Sequence, residues 1–577
     1  MNASTTLTRP AVCPLDCPDT CSLEVTVQDD QIVRIRGSRA NPLTDRAICS
    51  KVAKFYPDFV HGEQRLRYPL QRVGPRGSGE FRRISWEQAL DLVHEGFSRA
   101  IEQHGPQSVL GFNYAGPHGE LAMNSLDRRF FNALGATQLE RGPLCGGVRS
   151  GAYASLFGNA PGMPPEQVLH SDLIIIWGNN ATVSNLHLAR LARKAQKNGA
   201  KLVVIDPKRI TVAERADLFL QVKPGSDVVL GLALAAELER RGGLDQAFIA
   251  QWVSGADAYL EHARQYVKAD MEQLCGIRAA DFDTFVELYL QAKCASLSVG
   301  VGMERNRNGG SGIRAALALQ ALTGHFGRLG TGVMLKQSAI LPKDSTRLQR
   351  SDLLPAGTRT LNILDVGRCL LDETLDPPLK AVLIYNHNPI AMHPDQQRMQ
   401  RALSQASVFV AGCDVVMTDS MKYCDVILPA ASVFEYADIY GAYGHSYLQR
   451  AEAVIPLVGE ALPNTEIFRR LGARFGLDAA LFQDSDTELM DQAFITDDPR
   501  LEGQQPSALP LDSALLVNTA QGEPVIMCRT VKPATASGKI ELYSAAMEAQ
   551  YGYGLPRHEV VPATADYPFH PGITVLG

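Results

Sequence analysis

C-P-L-D-C-P-D-T-C, residues 13–21, followed by I-C-S-K at 48–51, sets four cysteines at Cys13, Cys17, Cys21 and Cys49. Three thiolates at equal short gaps on a loop punctuated by Pro and Asp, joined by a distant fourth, can converge on one cubic [4Fe–4S] cluster. A structural zinc site is the alternative. Zinc ligands usually come as two symmetric C-x2–4-C knuckles, whereas here the arrangement is three plus one, which favours the cluster.

Working outward, SLEVTVQDDQIVRIRG (22–37) alternates apolar and polar residues about a D-D-Q turn and predicts a hairpin. A small antiparallel domain over residues 1–62 is thus expected to carry the cluster. SWEQALDLVHEGFSRAIEQHG (85–105) has helical spacing, with Ser85 as N-cap and Gly105 at the stop. A strand–helix rhythm follows. SDLIIIWGNN (171–180), KLVVIDPK (201–208) and LFLQVKPGSD (218–227) alternate with the helical HLARLARKAQKNG (187–199) and VVLGLALAAELERRGG (228–243). KAVLIYNHNP (380–389), SVFVAGCD (407–414) and DVILPAA (425–431) repeat the pattern. Continuous Val/Ile/Leu strands between amphipathic helices predict parallel, doubly wound α/β sheets covered on both faces.

Ligands of such sheets bind beyond the carboxyl ends of the strands. The residues there are Trp177, Gly178, Asn179, Asn180, Asp206, Pro207, Gly225, Ser226, Asp227, Asn386 and Asn388. Glycine lets backbone N–H groups approach phosphate, and carboxylates suit ribose hydroxyls or a base edge. The same residues are also ordinary turn formers. No G-x-G-x-x-G opens a βαβ unit, so a standard NAD site is not indicated. Cys145, in E-R-G-P-L-C-G-G-V-R-S-G (140–151), places a thiol on unencumbered backbone able to approach a bulky metal centre; a buried free cysteine is the other reading.

Composition bounds the rest. The chain has 577 residues, 45% hydrophobic and 20% charged, enough for several buried cores. A net charge of −6 without charge runs argues against a nucleic-acid partner. The 11 cysteines show no disulfide-like spacing outside the cluster set, which points to a reducing compartment. MNASTTLTRP has neither an apolar h-region nor a twin-arginine pair, and no apolar run reaches a membrane span, so a cytoplasmic location is expected.

Together these residues resemble the molybdopterin oxidoreductases of the dimethyl sulfoxide reductase type, which include formate dehydrogenases, nitrate reductases, thiosulfate reductases and a tungsten hydratase. The resemblance runs from CPLDCPDTCS and RLRYPLQRVGPRGSGEFRRISWEQAL (65–90) through GVGMERNRNGGSGIRAALALQALTGHFGRLGTGV (300–333) to VVMTDSMKYCDVILPAASVFEYADIYGAYGHSYLQR (415–450). It implies two dinucleotide-binding domains, one discontinuous over 63–150 with 345–475 and the other over 151–344, together forming a molybdopterin-binding region over 63–475. It implies a [4Fe–4S] cluster and a bis-molybdopterin guanine dinucleotide carrying Mo or W. Trp177, Gly178, Asn179, Asn180, Asp206, Pro207, Gly225 and Asp227 are then expected dinucleotide contacts in one half. Asn386, Asn388, Pro389 and Thr418 fill that role in the other.

Cys145 falls at the family's protein ligand to the metal, a register supported by Phe157-Gly158-Asn159 downstream, and a soft thiolate suits a sulfur-rich site. Lys51 falls where the family has a lysine between cluster and pterin, although Val52 replaces the usual Gly; a solvated surface lysine is the plain alternative. Gly146 stands where formate dehydrogenases carry His, which makes formate oxidation doubtful. Arg314 has a counterpart in their pocket, and Arg149 with Arg314 is an expected anion-holding pair, or else a pair of ordinary salt-bridge partners. TASGKIELYS (535–544) resembles the approach to the family's C-terminal β-barrel, and ADYPFHPGITVLG (565–577) its first residues. The segment 476–577 is thus expected to lead to an absent barrel. The options are a separate chain supplying it, a truncated product, or weakened cofactor binding.

The expected function is a cytoplasmic oxidoreductase passing electrons between a small substrate and the cluster, with a ferredoxin-like protein or electron-transfer subunit as redox partner. A non-redox hydratase or transhydroxylase on the same cofactor, and a metal-free electron-relay subunit, are the alternatives.

Overall fold

The computed structural model describes residues 6–560, so the stretch 565–577 lies outside them. Strands Thr6–Val12, Ser22–Gln28 and Gln31–Gly37 form an antiparallel sheet in sequence order, its second pair being the hairpin read from alternation. Leu23 and Val25 are fully buried beneath it. The first helix of the larger region, Trp86–His104, is capped by Ser85 and Gln88 in a reciprocal capping box and stops at Gly105, whose φ is +82°.

Two larger sheets follow. The five-stranded sheet runs Leu218–Leu220, Lys201–Ile205, Leu173–Trp177, Ala295–Val299, Gly332–Met334, with every pair parallel. The six-stranded sheet runs Phe81–Arg83, Leu70–Arg72, Val426–Pro429, Phe409–Asp414, Ala381–Tyr385, Val109–Asn113. Its last four strands are parallel, but Leu70–Arg72 and Phe81–Arg83 add an antiparallel hairpin that the strand–helix rhythm did not announce. The P-R-G-S-G run at 75–79 turns that hairpin, with Gly77 and Gly79 at positive φ. The central strand Leu173–Trp177 is buried along its length, Trp177 included. Covered on both faces, it has no polar alternation to show.

Glycine sets how closely the strand ends approach. Gly178 adopts φ +61°, and a Cβ on Gly300 would lie 2.0 Å from the Gly178 carbonyl oxygen. Two parallel strands therefore end in turns pressed backbone to backbone, which only glycine permits.

One buried ion pair joins the entry segment to the six-stranded half. Arg65 Nη2 donates to both oxygens of Glu435 at 2.9 Å, with both side chains fully buried. Arg65 Nη1 also donates to the carbonyls of Val415 and Ala430, while Glu435 accepts from the Ser432 and Val458 N–H groups. Breaking such a pair leaves a buried charge. The substitution Glu435→Ala is expected to destabilise by about 3–5 kcal/mol, read as a large drop in thermal midpoint. A loss under about 1 kcal/mol, typical of a surface pair, contradicts the assignment.

Candidate functional site

A cavity of ≈ 550 Å³ opens between the N-terminal sheet and the carboxyl edge of the six-stranded sheet. Cys13, Cys17, Cys21 and Cys49 all line it, together with Lys51, Asn386 and Asn388. The convergence has local causes. Cys13 follows one strand and Cys21 precedes the next, and the Cys13 N–H donates to the Cys21 carbonyl at 2.8 Å, closing the loop between them. Cys49 stands just before the π-helical turn Lys51–Phe55, a wide turn often found at functional sites.

Burial pushes the Cys13 thiol up to about 12, and neighbouring Cys49 and Asp19 add to it, while Lys51 opposes the rise. Burial raises Cys17 and Cys21 further still, again with cysteine and Asp19 charges contributing. Thiolates here are costly unless a cationic centre sits among them, so the donor set fits a cluster. A cube holds each cysteine on its own iron, and four cysteines lining one cavity fit that demand.

Cys145 lies between the turn Gly142–Leu144 and the helix Gly147–Phe157, half-buried. It does not line the cavity itself. Tyr114 does, and its phenol lies beside the Cys145 thiol. Burial raises the Tyr114 phenol first and the neighbouring Cys145 raises it further. Tyr443 lies within electrostatic reach of both Cys17 and Cys145. Two tyrosines therefore lie in the region between the cluster cysteines and Cys145.

The dinucleotide candidates fall into two groups. Asn386 adopts φ +51°, donates to the Ala122 carbonyl and accepts from Asn464; Asn388 accepts from Ser420 Oγ at 2.6 Å. Pro389 opens the short helix Pro389–Met392, and Thr418 Oγ1 accepts from the Met421 N–H. The second group sits at the carboxyl edge of the five-stranded sheet, away from the cavity lining. There Asn179 donates to Ser298 Oγ at 3.0 Å, and Asn180 accepts from Thr182 Oγ1. Asp206 accepts from the Lys208 N–H, and the Pro207 carbonyl from Gln221. The Gly225 carbonyl accepts from Asn308, and Asp227 accepts from the Trp177 indole at 2.7 Å.

The two arginines are not paired with each other. Arg149 is committed to Glu304: its N–H donates at 2.9 Å and its Nε lies 3.3 Å from the same carboxylate. Arg314 is 1% exposed and its Nη2 donates to the carbonyls of Leu542 and Gly554, so residues 542–554 cover it. Sequence reading passed over Tyr114, Tyr443, Asp19 and His187. The apolar strand VLGFN (109–113) ending in Y-A-G carried a usable signal for Tyr114, and Asp19 stands inside the cysteine loop itself, but nothing local marks Tyr443 or His187.

Residues 65–474 match the family model "Molybdopterin oxidoreductase", and residues 7–61 match "Molybdopterin oxidoreductase Fe4S4 domain". "Probable oxidoreductase YoaE" of Bacillus subtilis (strain 168) is 34% identical over 97% of this chain and 81% of its own length. "F420-dependent formate dehydrogenase 2 subunit alpha" of Methanococcus maripaludis is 26% identical over 83% of this chain and 72% of its own. Among solved structures, the acetylene hydratase of Pelobacter acetylenicus matches with a TM-score of 0.81 at 23% identity, over 97% of this chain and 80% of that one, a likeness of fold.

The Trp177–Asp227 contact gives a test independent of those likenesses. Burial lifts the Asp227 carboxyl from 3.8 to about 6, partly offset by the indole hydrogen bond. Between those values the folded state binds more protons than the unfolded, so stability falls as pH rises through the window and the penalty is complete above pH 6. Asp227→Asn keeps an acceptor for Trp177 and removes the charge. The unfolding free energy of this variant, freed of nucleotide and read through its thermal midpoint, should exceed wild type at pH 8 by on the order of 2–3 kcal/mol and converge with it near pH 4. Equal midpoints at both pH values contradict the burial account.

Proposed function

The chain belongs to the molybdopterin oxidoreductase family, and we propose that it passes electrons between a small substrate and the cluster held by Cys13, Cys17, Cys21 and Cys49. It is an enzyme whose cofactors are a molybdopterin and a [4Fe–4S] cluster. The observation that carries the proposal is the continuity of Cys145, Tyr114 and the cavity wall bearing four cysteines and Lys51.

In this reading Cys145 would hold molybdenum or tungsten, and two pterin guanine dinucleotides would extend toward the turns at 177–227 and at 386–418. Bound there, the cofactor would supply two-electron chemistry at the substrate and one-electron exchange with the cluster. The residues do the remainder. The Tyr114 phenol, beside Cys145 and on the cavity lining, would offer a donor to that sulfur. The Lys51 ammonium offsets thiolate charge, as its effect on Cys13 illustrates. Val52, Phe59 and Val433 give the cavity apolar walls that exclude water. Arg149 is bound to Glu304, and Arg314 meets carbonyls at Nη2 while its Nε and Nη1 stay buried without a partner; neither is offered as a substrate anion site.

Lys51 and Phe55 are exposed beside the cluster cavity and mark the face on which a redox partner would dock. That partner is a ferredoxin-like protein or an electron-transfer subunit, in a cytoplasmic setting; the methanogen relative is by its title one subunit of a larger enzyme. Among the described residues no helix is long and apolar enough to cross a membrane.

Metal and pterin-nucleotide analysis of anaerobically isolated protein tests the reading. About four iron per chain with molybdenum or tungsten is expected. In Cys145→Ala the iron and the cluster signal should persist, while the paramagnetic spectrum of the pterin-bound metal changes and turnover falls at least a hundredfold, on the order of 3 kcal/mol. Iron without molybdenum or tungsten overturns the proposal in favour of a relay subunit. Hydration of a substrate with no electrons exchanged overturns it in favour of a hydratase.

A further inference from the structure

The helix Leu186–Lys197 belongs to the five-stranded half, yet its first turn rests on the cysteine loop. Asp19 Oδ2 accepts from the His187 N–H at 3.4 Å, and the Leu186 N–H reaches the same carboxylate. A loop residue thus caps a helix of another domain, at the end where negative charge is favoured. The same segment grips two cysteine side chains. Cys17 Sγ faces the Ser184 carbonyl at 3.9 Å, and His187 Nε2 lies 3.2 Å from Cys21 Sγ. His187 is 1% exposed, and its Nδ1 has no hydrogen-bond partner.

Two arguments fix the tautomer. A thiolate bound to iron can only accept, so a close Nε2 must carry the proton. With the proton on Nε2, the unpartnered Nδ1 is a bare acceptor, which costs less to bury alone than an orphaned N–H. Among the described residues, His187 makes the only side-chain hydrogen bond to the four sulfurs.

We propose that the His187 Nε2–H donates to the Cys21 sulfur of the cluster and raises the cluster's reduction potential. The proposal rests on the reading of the four cysteines as cluster ligands. Reduction adds one electron to the cluster and lowers its net charge by one, and part of that charge falls on the cysteine sulfurs. A fixed donor stabilises the reduced form more than the oxidised one, so its hydrogen bond shifts the potential upward. The proton stays on Nε2 and no bond breaks. His187 is a positioning residue: it reaches the electron path through Cys21, and the Asp19 cap holds it there.

The experiment is a redox titration of the anaerobic holoenzyme followed by EPR, on wild type, His187→Leu and His187→Gln. The glutamine amide places an N–H close to where imidazole Nε2 stands, so it should rescue. In His187→Leu the ratio of reduced to oxidised cluster at a fixed potential should fall about tenfold, a negative shift of about 59 mV for one electron. In His187→Gln the midpoint should stay near wild type. An unmoved midpoint in His187→Leu with iron retained overturns the proposal alone, and so do equal shifts in both variants, which signify packing. Wild-type protein labelled with ¹⁵N-histidine supplies a measurement free of folding effects: a histidine nitrogen coupled to the reduced cluster is expected, and its absence overturns the contact. Wild type that binds no cluster overturns both this proposal and the cluster reading.

Discussion

Everything at this site depends on holding one nine-residue loop, 13–21, in a single shape. Such a loop has few hydrogen bonds of its own, and its thiols are costly to bury. The structure holds it from several directions. The His118 N–H donates to the Pro14 carbonyl at 2.7 Å, His445 Nε2 lies 2.9 Å from the Asp19 carbonyl oxygen, and Gln449 donates to the Thr20 carbonyl at 2.9 Å. From the five-stranded half, the first turn of Leu186–Lys197 is capped by Asp19. The cysteine loop is therefore held by the segment 445–449, by His118 and by the helix Leu186–Lys197 at once.

That loop also explains the order of the groups. The cysteines face one wall of the cavity, the turn at 386–388 faces another, and Tyr114 leads from the lining to Cys145. Short, water-poor separations suit electron transfer, because fixed dipoles replace solvent that would otherwise reorganise. The second set of turns, at 177–227, lies at the edge of the other sheet and is reached from the loop through the helix Leu186–Lys197. Close backbone packing at Gly178 and Gly300 keeps that edge rigid.

Much of this was legible in the chain itself. Alternation at 22–37 gave the hairpin, Ser85 and Gly105 gave the ends of a helix, and unbroken apolar runs gave buried parallel strands, because each signal is local. The edge hairpin at 70–83 escaped because its strands are three residues each, too short for a period. Arg149 and Arg314 left two readings open, anion holding or ordinary salt bridging, because the groups they meet, Glu304 and the carbonyls of 542 and 554, lie more than 150 residues away in sequence. His187 reads as an ordinary helix residue for the same reason: Cys21 is 166 positions distant. Local chemistry is written locally, and tertiary pairing is not.

The central claim is that Cys145 and the four N-terminal cysteines serve one electron path. Its most direct test is magnetic: EPR of the holoenzyme poised so that the pterin-bound metal and the cluster are both paramagnetic. The account predicts that the metal signal is split by the reduced cluster and collapses to a simple pattern when the cluster is oxidised. A metal signal indifferent to the redox state of the cluster, with both centres present, would contradict it.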